Sequence, residues 1–467
     1  MPAGATILPR EIEPGAEASS RRLLLLTTSY PPRSEVGAAR WEGFTPFLVA
    51  AHWGVDAVIE QPPATERPDW ERLSRLPADV RVVAIAPRRV WWHEALMRLR
   101  APFKPNGGHQ GAHHTVDDYA ASPATARLGM REAFDSAVKV SLSRQGIVAF
   151  ERAANAFADE RHRVVVSSGP PHYVHVAASR VARRLRVPHV VDLRDPWGSV
   201  KPLGRGERFL PDPQLRYLEA ATLERASLII TNTAAAEQAL AERFPALRDR
   251  IRCMPNGSDL EPEAPSSRPR PPLFQIAHCG SLYLDRDPRP FLRAVGQVRE
   301  TLALGPRELR VVFMGTPASV AGRSLTDLAN EEGLDGVFEE RPSGTRDEAR
   351  QLLRESSMAV AFQGETRTQV PAKVFEYVAF PVWLLALVGS ESATADVLAD
   401  SGAIVLDIDD QAGAERAIET CYRRYHAGES ARPVGHDGRF SRARQAERLI
   451  AELQELGSKS MRRASPG

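Results

Sequence analysis

Residues 262–283 read PEAPSSRPRPPLFQIAHCGSLY. Prolines at 262, 265, 269, 271 and 272 exclude the interior of a helix or strand, so the first half is a stiff connection with 266–272 as the linker proper. The second half is a fresh apolar run that ends in Gly280 and small polar residues. The same grammar stands upstream in RRLLLLTTSYPP (21–32), RHRVVVSSGPP (161–171), VPHVVDLRDPW (187–197) and ASLIITNT (226–233). It returns downstream in LRVVFMG (309–315), GVFEE (336–340), MAVAFQG (358–364), VWLLALVG (382–389) and GAIVLDI (402–408). VDAVIE (55–60) and VRVVAIAP (80–87) are further short strands. Runs apolar on both faces, alternating with amphipathic helical segments, predict parallel sheets covered by helices.

The expected architecture is therefore α/β, with two Rossmann-like domains in tandem at 21–265 and 273–437. FSRARQAERLIAELQEL (440–456) has the apolar spacing of an amphipathic helix, and 438–456 forms a C-terminal helical element. Residues 1–20 carry acids and prolines without an apolar signal core and read as a disordered leader, and 457–467 as a solvated tail.

A chain of 467 residues exceeds one ordinary core. Its 43% hydrophobic and 26% charged residues are those of a globular protein, and no apolar run approaches the length of a membrane span. A net charge of +2 argues against nucleic acid held by bulk electrostatics. Cys253, Cys279 and Cys421 are far apart without metal-ligand spacing, as in reduced thiols of a cytoplasmic protein. Two stretches break the rhythm. Residues 101–125 form a polar insertion in which His109, His113 and His114 read better as a loop than as a metal site, for want of a ligand frame. VWWHEALMRLRAPFK (90–104) mixes indoles with cations, which suits peripheral membrane contact or a core helix with snorkelling arginines.

Polar residues after strand ends are where an open parallel sheet binds ligands. In QVPAKVFEYVAF (369–380), Lys373 and Glu376 share one helix face just after Pro371. A lysine in a first helical turn opposes the helix dipole unless an anion such as a diphosphate sits there. Glu376, one turn on, suits paired ribose hydroxyls. The alternative is a Lys373–Glu376 ion pair of small worth. The preceding loop adds Arg367. In GSLYLDRDP (280–288), Gly280 permits close backbone approach, Ser281 can donate to phosphate, and Arg286 can pair with it through two bonds. An Arg286 pair with Asp285 or Asp287 in a surface turn is the plainer alternative. In the first domain Gly37 sits in TSYPPRSEVGAAR (28–40), and His172 and His175 at a helix start. DLRDPW packs Asp192, Arg194, Asp195 and Trp197 where they can hold a sugar. A capping role for His172 and a core role for Trp197 stand beside these.

In order, the YPP–Gly37 loop, SSGPPH, DLRDPW, TNT, PNGSD, GSLY–RDP and VPAKVFEY resemble the glycosyltransferase family 4 pattern, from about residue 22 to 455. The resemblance implies the GT-B fold, with two facing Rossmann-like domains across a cleft. It implies retaining transfer of a hexosyl unit from a nucleotide-sugar donor to a saccharide or lipid-linked acceptor, in polysaccharide or envelope glycoconjugate synthesis. It puts Arg286 and Lys373 on the donor diphosphate and Glu376 on the ribose, beside Gly37, Gly280 and Ser281, the donor-binding candidates read from the loops themselves. His172, Arg194 and Asp195 are the candidates for stabilising the transition state. The family needs neither a metal nor a cofactor, and the C-terminal helix crosses back to the first domain. The pattern is departed from at Val36, at Thr368 where an acid is usual (Glu365 is nearby), at Arg289 in place of a second lysine, and before Pro381. Those departures make a non-catalytic GT-B scaffold the second expectation, and a GT-B sugar epimerase a third. The expected location is cytoplasmic, peripheral at the inner membrane face if 90–104 makes that contact.

Overall fold

The computed structural model describes residues 5–8, 19–63, 66–86, 130–197, 213–265, 269–282, 286–316, 319–320, 322–364 and 366–464. The insertion at 101–125, the basic–aromatic stretch at 90–104, Asp285 and Glu365 lie outside them.

The first sheet contains β1 (Ala5–Ile7), β2 (Arg22–Thr27), β3 (Gly54–Glu60), β4 (Val80–Ile85), β5 (His162–Gly169), β6 (His189–Leu193), β7 (Leu228–Thr231) and β8 (Ile251–Cys253). Its order is β1-β4-β3-β2-β5-β6-β7-β8, and every pairing but β1–β4 is parallel. The second domain contains β9 (Phe274–Cys279), β10 (Leu309–Met314), a hairpin of β11 (Ser319–Val320) and β12 (Arg323–Ser324), β13 (Phe338–Arg341), β14 (Met358–Gln363), β15 (Trp383–Val388) and β16 (Ile404–Asp407). Its six-stranded sheet has the order β13-β10-β9-β14-β15-β16 and is parallel throughout.

Side-chain alternation explains why the runs are mostly apolar on both faces. Leu24 and Leu26 of β2 face a core made with helices Met130–Phe157 and Tyr173–Leu185, while Leu23 and Leu25 face another with helix Ala39–Ala50. In β9, Phe274 and Ile276 enter one core and Ala277 and Cys279 the opposite one. Both faces of each sheet are thus covered, the condition under which parallel sheets occur.

Within the expected leader, Ala5–Ile7 instead form an antiparallel edge strand on β4, and Leu8 is buried behind it. The last helix runs over Arg442–Ala464, longer than the 438–456 expectation, so 457–464 are helix rather than tail. Its Ala446, Leu449 and Leu453 pack into the first-domain core beside Trp41 and Phe44. Its start is latched by Ser258 N–H to the Phe440 carbonyl at 2.6 Å and Arg442 N–H to the Ser258 carbonyl at 2.9 Å. Leu260 already packs against the second domain, before the linker begins.

Candidate functional site

In each sheet the order reverses at one place, between β2 and β5 in the first and between β9 and β14 in the second. The loops leaving the carboxyl ends of those strands diverge to opposite sides and open a crevice. Gly37 and His172 follow β2 and β5, with Arg194 and Asp195 beyond the adjacent β6. Gly280 to Arg286 follow β9, and Lys373 follows β14.

In the second domain Arg286 and Lys373 come together. Burial and the Arg286 guanidinium push the Lys373 ammonium down to about 7. The Lys373 Nζ lies across Gly280, whose φ of +121° suits glycine, and a Cβ there would stand 2.7 Å from that nitrogen. Lys373 makes no ion pair with a carboxylate among the described residues; its Nζ instead meets His278 Nε2 at 3.1 Å. Glu376 pairs with Arg346 at 3.2 Å, so the intrahelical Lys373–Glu376 bridge does not form. Asp287 accepts from Arg289 at 2.6–3.0 Å in a half-exposed local pair. Ser281 Oγ donates to Thr316 Oγ1 at 2.9 Å. Arg367 turns away to the exposed Glu391. Helix Ala372–Tyr377 has only six residues, with Pro371 as its cap residue, so side-chain charge rather than a long helix dipole makes this place positive. Tyr377 pins it to β9, accepting from Cys279 N–H at 2.6 Å and donating to the Cys279 carbonyl at 2.9 Å.

In the first domain Arg194 ties three loops together. Its Nη2 donates to Ser29 Oγ at 3.0 Å and the Pro170 carbonyl at 2.6 Å, while Nη1 occupies the space a Cβ on Gly37 would need. Gly37 therefore admits an arginine from its own domain, a cause its sequence position did not show. Burial lowers the Arg194 pKa against Asp192, Asp195 and Glu35, which raise it. Burial likewise raises the Asp195 carboxyl, and Gln369 Nε2 of the second domain donates to its Oδ1 at 2.8 Å. His172 occupies the N-cap position of Tyr173–Leu185 but makes no capping bond. Its ring stacks on Trp197, 5.3 Å between centroids and 12° between planes, and burial pushes it down to about 4.

Two residues grouped with these have other work. Asp192 is fully buried, accepting from Arg40 at 3.0–3.2 Å, Trp41 Nε1 at 2.8 Å and Ser168 Oγ at 2.7 Å. A carboxylate so saturated has no lone pair for a sugar. Trp197 is 7% exposed and serves the core. Thr368 reaches into a small cavity lined by Arg194, Trp197, Thr231 and Asn232, where Thr368 Oγ1 and Asn232 Oδ1 are buried without hydrogen-bond partners among the described residues. His278 and Gln369 were passed over in the sequence. The available signal for His278 was an imidazole inside the apolar run LFQIAHC.

Comparison with known proteins bears on the fold that carries these residues. Residues 117–262 match the family model Glycosyltransferase Family 4. A D-inositol 3-phosphate glycosyltransferase of Paenarthrobacter aurescens (strain TC1) is 27% identical over 167 residues, 34% of this chain and 40% of that protein. The match thus spans well under half of the relative's length. Among solved structures, sucrose-phosphate synthase from Thermosynechococcus elongatus superposes with a TM-score of 0.55 at 14% identity, covering 95% of this chain and 100% of the other. Anabaena HepE in complex with UDP and glucose gives 0.56 at 12% identity, covering 93% and 100%. These likenesses show the fold: two parallel-sheet domains of the GT-B type.

Proposed function

We propose that this glycosyltransferase-family-4-like chain of GT-B fold transfers a hexosyl unit from a nucleotide-diphosphate sugar to a saccharide or lipid-linked acceptor, with retention, in polysaccharide or envelope glycoconjugate synthesis. The observation that carries this reading is the pair Arg286 and Lys373, two cations crowded at the second-domain switch point with Lys373 lying over Gly280. A desolvated ammonium such as that of Lys373, which makes no carboxylate ion pair among the described residues, gains from an anion brought to it. A donor diphosphate is such an anion, and HepE, a structure of like fold, is described in complex with UDP-glucose.

Arg286 and Lys373 then neutralise the charge that develops on the leaving diphosphate as the glycosidic bond breaks. In this reading the two cations do the charge neutralisation that a metal would otherwise supply, and the reaction needs none. Glu376 leaves Arg346 to meet the ribose, and Gly280 and Ser281 line the phosphate path. Arg194, Asp195 and His172 line the opposite, first-domain wall. The Gln369–Asp195 hydrogen bond makes the two walls parts of one cleft.

A thermal-shift screen with UDP- and GDP-linked sugars, followed by transfer to candidate acceptors in EDTA, tests the proposal. Stabilisation by one donor class and EDTA-resistant transfer are expected. A specific observation favours a non-catalytic scaffold as the second reading: the position of the usual acid is Thr368, whose hydroxyl faces the first domain. Absence of stabilisation by every donor would favour the scaffold, and donor binding without transfer to any acceptor would favour a binding-only protein. The location in this reading is the cytoplasm, at the inner membrane face if 90–104 makes contact. Among the described residues no helix is long and apolar enough to cross a membrane. Flotation with anionic liposomes tests the peripheral contact.

A further inference from the structure

We propose that His278 is the positioning residue of the donor-phosphate site, its Nε2 lone pair holding Lys373 over Gly280 to meet the diphosphate. The inference rests on the donor reading above and adds a residue to it.

His278 is the penultimate residue of β9 and is 1% exposed. Phe313 and Phe362 box its ring, each with a centroid 5.1 Å away. Its Nδ1 lies 2.9 Å from the Val360 carbonyl, an acceptor only, so Nδ1 carries the proton and donates. That tautomer leaves a lone pair on Nε2, and Lys373 Nζ donates to it across 3.1 Å. Ring and tautomer are thus set by the sheet, and the lysine is aimed by the ring.

A neutral acceptor has a consequence that a carboxylate would not. A buried aspartate at this place would orient the lysine and also quench its charge, whereas an imidazole orients it and leaves the charge for the ligand. The groups around the pair fit that division. Arg286 faces both side chains and Cys279 adjoins Lys373, while Glu376 and Tyr377 stand on the lysine's own helix. Arg341 faces Cys279, and Arg346 takes Glu376. Burial and Arg286 bring the Lys373 ammonium down to about 7. A bound diphosphate favours the charged lysine, so above that pH binding draws one proton from solvent onto Nζ.

Calorimetric titration of UDP and GDP between pH 6 and 9 tests this, using wild type, His278→Leu, His278→Gln, Lys373→Gln and the His278→Leu/Lys373→Gln double variant. Wild-type affinity is expected to fall by up to about tenfold per unit above pH 7, where the terminal phosphate of either probe is already fully ionised. His278→Leu should weaken binding at pH 7 by about tenfold or more, and His278→Gln, which keeps an acceptor oxygen, should recover most of it. In the Lys373→Gln background the leucine substitution should do nothing further, since His278 acts through Lys373. Thermal melts certify each fold. Where leucine unfolds the protein, His278→Met against His278→Gln, without and with an acceptor oxygen, decides. Wild-type binding that His278→Leu leaves intact, or a leucine effect that persists without Lys373, overturns this inference alone. Failure of both UDP and GDP to bind wild type removes the donor reading and this inference with it.

Discussion

Lys373 carries opposite consequences for activity and stability. In the free protein it is a desolvated cation beside Arg286 with no carboxylate partner among the described residues. Lys373→Met is therefore expected to raise the melting temperature slightly while reducing transfer by about 100-fold or more, the scale on which a preorganised charge contributes. Arg286→Ala should cut transfer similarly. Wild-type turnover in both variants would remove the diphosphate role. A different titration governs the first domain, where Ser167 Oγ bridges His189 Nε2 at 2.9 Å and His175 Nδ1 at 2.8 Å. Burial pushes His189 down to about 3 and lowers His175 as well. Both stay neutral in the fold, whereas the unfolded chain takes up protons below about 6.5. The stability they allow is complete above that pH and is lost as pH falls toward 3, on the order of 5 kcal/mol for His189. Melting temperature should decline from pH 6.5 to 5, and His189→Gln should flatten the decline. At this scale the sequence was legible where charge was out of place, as at Lys373 and Arg286. It misled at Asp192, whose saturation depends on Arg40 and Trp41 from far along the chain.

The strands form a second system at their amino ends, away from the cleft. Asp56 of β3 is completely buried, and accepts from Arg22 of β2 at 2.7 and 2.9 Å, from Arg81 of β4, and from His162 of β5 at 2.9 Å. Burial raises its carboxyl, but the hydrogen bonds from Arg81, His162 and Arg22 outweigh it and hold the group well below the usual range. Its contribution is present above about pH 4 and is lost as pH falls through the lowered value. Asp56→Ala leaves Arg22 buried without this partner, and should cost about 3–5 kcal/mol in chemical denaturation. Leu449→Ala tests the last helix: it should destabilise the first domain by about 2–5 kcal/mol, although it lies at the other end of the sequence. Strands were readable because each buried run is apolar on both faces. Element ends were less so, since Ala5–Ile7 depends on pairing with β4 and the last helix runs past its apolar stripe.

For the whole molecule, the Gln369–Asp195 hydrogen bond joins the two domains four residues from Lys373 and one from Arg194. Gln369→Ala should leave nucleotide affinity within about threefold and lower turnover by about tenfold, because it alters alignment rather than charge. Steady-state kinetics on donor and acceptor separate the two effects. An equal loss of donor affinity would show that the contact belongs to the donor site itself.

What the sequence by itself determined was two parallel-sheet domains, their division near the Pro-rich stretch and the loops that bear the cations. Those features rest on local properties: apolar runs, the stiffness of proline, and a lysine at an unfavourable helical position. Tertiary structure alone decided which polar groups were free to act. Asp192 was saturated by distant partners, Glu376 was turned to Arg346, Gly37 was filled by Arg194, and Lys373 was hung on a strand histidine. Hydrogen-bond capacity is finite and is taken by whichever neighbour the fold brings within reach, and sequence spacing does not record that neighbour.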